Sequence, residues 1–72
     1  MNLYFVEGSK FVSIGTTEEP PKKIPNFPII ASSEAEARRL LNMYKKGLIA
    51  VQMYCDDNIN IMAIYDNNWF GS

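Results

Sequence analysis

Between Ser33 and Tyr65 the apolar positions change period, from a spacing that suits a helix to one that suits strands. Ala37, Leu40, Leu41, Tyr44 and Leu48 fall at i, i+3, i+4, i+7 and i+11. On a helix of about 3.6 residues per turn that spacing makes one apolar stripe. Ser33 stands where an N-cap belongs, and Glu36 completes an S-x-x-E capping box. In such a box each side chain satisfies a backbone donor of the other residue. Glu34 and Glu36 near the start, with Lys45 and Lys46 near the end, complement the helix dipole. Glu34 can also pair with Arg38 one turn on. Gly47 supplies the left-handed stop.

Residues 48–55 and 59–65 are rich in β-branched and aromatic side chains, and Asp56-Asp57-Asn58 between them is turn chemistry. A hairpin is predicted there. Ile49, Val51, Met53 and Cys55 share one face of its first strand, and Ile59, Ile61, Ala63 and Tyr65 one face of its second. These are assigned to the side under the helix. The opposite face then holds Leu48, Ala50, Gln52 and Tyr54, across from Asn60, Met62 and Ile64.

Upstream, residues 2–6 and 10–14 are short β-rich runs around Glu7-Gly8-Ser9 and predict a first hairpin. Leu3 and Phe5 point one way, Tyr4 and Val6 the other. Both faces are apolar, so the register is weakly specified. From Gly15 to Pro28 the character changes, and all four prolines lie in this stretch. Residues 15–28 are expected to be an extended, partly polyproline-like connector, with Ile24 and Phe27 pinned onto the core. Pro28-Ile29-Ile30-Ala31 is a short extended approach to the helix. The tail, residues 66–72, carries Trp69 and Phe70 outside any predicted element. The expected fold is one two-layer α+β domain over residues 1–72, ββαββ in order, with a four-stranded antiparallel sheet and one helix on one face.

Composition narrows the function classes. A chain of 72 residues is one small domain, and such domains bury only about 60% of the surface their unfolded chain exposes. Self-association or a partner commonly helps them. A net charge of −1 lacks the basic excess of a general nucleic-acid binder. It is also too small for an acidic decoy of nucleic acid. The start of the chain does not resemble a signal peptide, and no apolar run approaches the roughly 18–20 residues that span a bilayer. A cytoplasmic protein is expected, and a lone thiol fits that compartment.

Candidate chemistry is sparse. There is no histidine, so the usual general base near neutral pH is missing. Cys55 is the single cysteine; it excludes an internal disulfide and cannot build a closed zinc site. Asp56 and Asp57 read as turn residues, and the D-D-N run lacks the glycine and terminal glutamate of a calcium loop. The glycines are scattered singly, with no phosphate-cradling pattern. No enzyme activity, metal or cofactor is expected. Lys22 to Pro28 contains a P-x-x-P match, for which a stiff connector is the plainer reading.

One helix cannot cover both faces of a four-stranded sheet, and the second face is too apolar to be wet. The partner-binding residues expected from this are Gln52, Tyr54, Met62 and Ile64, with Trp69 and Phe70 of the tail. The expected function is that of a small non-catalytic interaction protein. It would be an inhibitor or regulator of a larger protein target, of the kind phages and mobile elements encode. One alternative is a nucleic-acid-associated accessory protein using Arg38, Arg39, Lys45 and Lys46, although a solvated helix face explains the same charges. Another is a homodimer burying sheet on sheet. Cover of that face by the chain's own connector and tail would remove the need for either.

Overall fold

The computed structural model describes residues 1–56 and 59–66, without the side chains of Asp56 and Ile59. Along the chain run β1 (Asn2–Glu7), β2 (Lys10–Thr16), β3 (Ile29–Ala31), α1 (Glu34–Lys45), β4 (Gln52–Asp56) and β5 (Ile59–Tyr65). The fold is α+β, with one helix against one sheet, and the order of elements is ββ-β-α-ββ.

Both ends of α1 follow from the sequence, with one change. The Ser33 hydroxyl accepts the Glu36 N–H at 3.3 Å, a cap that contributes about 1 kcal/mol. Glu36 does not return the bond to Ser33; its carboxylate instead accepts the Ser32 hydroxyl at 2.6 Å. At the other end Leu48 N–H donates to the Met43 carbonyl and Gly47 N–H to that of Tyr44. Gly47 holds φ at +77°, so the helix stops in a Schellman motif. The apolar stripe is buried only in part. Ala37 and Leu40 are sealed, Leu41 is half-buried, and Tyr44 and Leu48 face solvent.

The sheet differs from expectation. It has five strands in the order β2-β1-β3-β5-β4, because the approach to the helix is itself a strand. β3 pairs antiparallel with β1 and parallel with β5, making the sheet mixed. Three residues after a proline-rich stretch carry too little local pattern to announce a strand. Their pairing is set by partners far away in sequence. The first strand of the second hairpin is also shorter than expected. It starts at Gln52, and Leu48 to Val51 form the link from the helix.

The faces of β4 and β5 need a second correction. Met53 pairs with Met62 and Tyr54 with Ile61, so Tyr54 lies on the same side as Ile61 and Ala63. That register is one residue away from the expected one, and a slip of one exchanges the faces. On the helix side, Tyr4, Ile29, Ala31 and Ile64 form a core with Ala37 and Leu40, joined by Val6, Phe11, Leu41, Ile49 and Val51. On the other side Leu3, Ile30, Tyr54, Ala63 and Tyr65 form a second core with Met1, Ile14 and Ile61.

Met1, Ile14 and Ile61 pack around the second core, and the start of the connector is held close beside two of them. Gly15 pairs with Leu3 just beyond a bulge in β2. A Cβ on Gly15 would meet Pro21 Cδ at 3.0 Å and the Glu19 carbonyl at 3.1 Å. Only glycine lets the connector approach so closely. Thr17 N–H donates to the Met1 carbonyl at 2.9 Å, and the Met1 ammonium sits 3.5 Å from the Glu18 carboxylate. Further on, Ile24 and Pro25 lie beside Ile61. Of the two side chains expected to pin the connector, Ile24 is half-buried and Phe27 is exposed.

Candidate interaction surfaces

Among the described residues no buried side-chain nitrogen or oxygen lacks a hydrogen-bond partner, and no three His, Cys, Asp or Glu side chains gather as metal ligands. Among the described residues no helix is long and apolar enough to cross a membrane.

The residues expected to bind a partner do not form one surface. Tyr54 and Ile64 are buried, at 2% and 3% exposure, and belong to opposite faces of the sheet. Gln52 is half-buried, and among the described members of this set Met62 alone is well exposed, at 43%. Trp69 and Phe70 lie outside the described residues, as do Asp57 and Asn58 of the expected turn. The four basic residues divide as well. Arg38 and Lys45 line one groove. Arg39 turns to the Glu36 and Asp66 carboxylates, at 4.0 and 3.6 Å, and Lys46 is the helix C-cap.

A different apolar surface is exposed. Phe27 and Met62 line a groove of about 380 Å³ between the connector and β5. Met62 pairs across the strands with Met53, which extends the apolar patch to the sheet edge. Phe27 is 55% exposed and Met53 47%. Phe27 has φ at +54°, in the left-handed region, where a residue with a Cβ costs roughly 1–2 kcal/mol. The groove exists because pairing along β5 stops early. Ile64 N–H donates to the Pro28 carbonyl, so the backbone groups of alternate residues, Asn60 and Met62, also turn toward the connector. Along the described residues of β5, β3 pairs with Ile64 and Tyr65 alone. Phe27 carried a faint sequence signal as a large aromatic beside Pro28 in the proline-rich connector.

The other groove lies between the first hairpin and α1, with a volume of about 260 Å³. Val6, Phe11 and Leu41 give it apolar walls, and the turn at Gly8 and Ser9 closes one end. Arg38, Asn42 and Lys45 supply the polar groups. The Arg38 guanidinium stacks over the Phe11 ring, 4.7 Å from its centroid, while its Nε faces the Glu34 carboxylate at 3.9 Å. The sequence placed Arg38 and Lys45 two turns apart on one helix. That Phe11 would come beneath Arg38 depends on tertiary packing.

Compared with known proteins, the chain matches no family model, no curated protein and no solved structure.

Proposed function

We propose that this chain is a small non-catalytic interaction protein, an inhibitor or regulator that engages a larger protein through the Phe27–Met62–Met53 surface. The observation that carries the reading is Phe27, an aromatic ring held toward solvent by a strained backbone. Strain of this kind persists where the surrounding structure enforces it, and it gathers at binding sites. Two methionines beside the ring add apolar area that adapts to an imperfectly matched partner. The backbone of Asn60 and Met62 offers hydrogen bonds at the rim of the same groove.

Met62→Asp tests this surface with little risk to the fold, since surface substitutions usually stay within about 0.5 kcal/mol. The test is a pull-down with tagged wild type and variant from nuclease-treated lysate, with melting followed by circular dichroism. The expected result is a stoichiometric protein captured by the wild type and lost from the variant at unchanged melting temperature. Capture of the same protein by both would sink the reading.

A further inference from the structure

We infer that the groove between the first hairpin and α1 is a second binding site, for a peptide segment in which an apolar side chain is flanked by carboxylates. This site is separate from the Phe27–Met62 surface and does not rest on it.

The argument begins with charge. The residues lining the groove include two cations, Arg38 and Lys45, and no carboxylate. Among the described residues Lys45 has no ion-pair partner, and Arg38 meets only Glu34, through Nε, in a solvent-exposed pair. Exposed pairs of this kind are weak, so the far edge of the guanidinium remains available. Phe11 beneath it fixes the plane of the fork, and a planar guanidinium so held matches a carboxylate through two parallel hydrogen bonds.

Spacing and size then define the ligand. Arg38 and Lys45 are two turns apart, about 10 Å along the helix. Val6, Leu41 and the edge of Phe11 lie within the same groove. An extended peptide presents alternate side chains on one side, with residues i and i+4 about 13 Å apart. The pattern acidic–x–apolar–x–acidic therefore puts one carboxylate near the Arg38 guanidinium, the other within reach of the flexible Lys45 side chain, and its apolar side chain against the floor. At about 260 Å³ the groove is smaller than the roughly 300–1,000 Å³ typical of small-molecule sites. It suits one side chain better than a cofactor.

The same cations fit a nucleic-acid strand poorly. Binding to single strands relies on open aromatic faces for stacking, and the Phe11 face is already occupied by Arg38. Arg39, the next cation on the helix, is taken up by Glu36 and Asp66.

The test is a titration of the ¹⁵N-labelled full chain with the peptide acetyl-Glu-Ser-Phe-Ser-Glu-amide, followed by amide shifts. The neutral analogue with Gln at both acidic positions is run beside it, as is a short oligothymidylate. The expected result is saturable shifts centred on Gly8, Ser9, Asn42 and Lys45, with the neutral analogue about tenfold weaker. Lys45→Met, which keeps the aliphatic stem, weakens the acidic peptide by a comparable factor. Lys46→Met, outside the groove, and Met62→Asp, on the other surface, bind it like the wild type. Equal binding of the neutral analogue would overturn the inference, as would an unaffected Lys45→Met variant. Absence of shifts at these amides, or stronger binding of the oligothymidylate there, would also overturn it.

Discussion

On one face of the sheet Ile29, Ala31 and Ile64 are sealed under a capped helix of 12 residues, which contributes Ala37 and Leu40. On the other, Leu3, Ile30, Ala63 and Tyr65 are sealed to the same degree with no helix over them, on the side where the irregular connector meets Gly15 and Met1. The two coverings solve the same physical problem by different means. A helix satisfies its own backbone and contributes a periodic apolar stripe. The connector contributes proline, which is already extended and loses less conformational freedom when it is laid down. Only the first device is written in a pattern that repeats along the chain. An apolar face left over after the helix has been placed is therefore weak evidence for a partner until the irregular segments have been considered.

The largest expected effect tests whether the two cores are equal. Leu40→Ala and Ile30→Ala should each lose about 2–5 kcal/mol in urea unfolding, because both side chains are fully buried. A loss below about 0.5 kcal/mol for Ile30→Ala would mean that the connector does not seal its face. Gly15→Ala probes the connector itself. A methyl at that position would press on Pro21 and on the Glu19 carbonyl, and overpacking of this kind costs about 1–3 kcal/mol. A neutral result would show that the connector yields there.

The smallest effect concerns pH. Burial, with the negative charge of a Cys55 thiolate as a secondary cause, pushes the Tyr65 phenol above its ordinary value of 10.0. Its hydroxyl donates to the Met53 carbonyl at 2.7 Å, a bond that needs the neutral phenol. The folded state thus holds this proton more tightly than the unfolded chain. The associated stability is complete below about pH 10 and is lost as pH rises through the folded-state value. Tyr65→Phe should flatten that part of the alkaline decline in melting temperature. An unchanged slope would assign the decline to other groups.

The helix, its Ser33 and Gly47 caps and both hairpins were legible because their signals are local, whereas the Glu36 half of the capping box was not realised. β3 was not legible as a strand, because Ile29 to Ala31 gain their hydrogen bonds from β1 and β5. The register of β4 on β5 was missed by one residue, since apolar side chains occupy both faces of the hairpin and alternation cannot choose between them. Of the expected contact residues, Met62 was placed at the surface, whereas Tyr54 and Ile64 went into the two cores. The groove was half legible. Arg38 and Lys45 share a helix face by spacing alone, but the aromatic support beneath Arg38 comes from Phe11 in β2.

β3 has a consequence for how fast the chain folds. β1 with β2, and β4 with β5, are hairpins between neighbours in sequence, and such hairpins form in roughly 1–10 μs. Among the strand pairings, the two hairpins are joined through the three residues of β3. Their partners lie far away along the chain, so the loops must close before the seam yields any contact energy. The barrier to folding is thereby expected at this seam. In stopped-flow measurements Ile30→Ala should slow refolding by most of its equilibrium loss, and Leu40→Ala should act more on unfolding. An Ile30→Ala loss that appears only in the unfolding rate would place the seam's closure after the barrier.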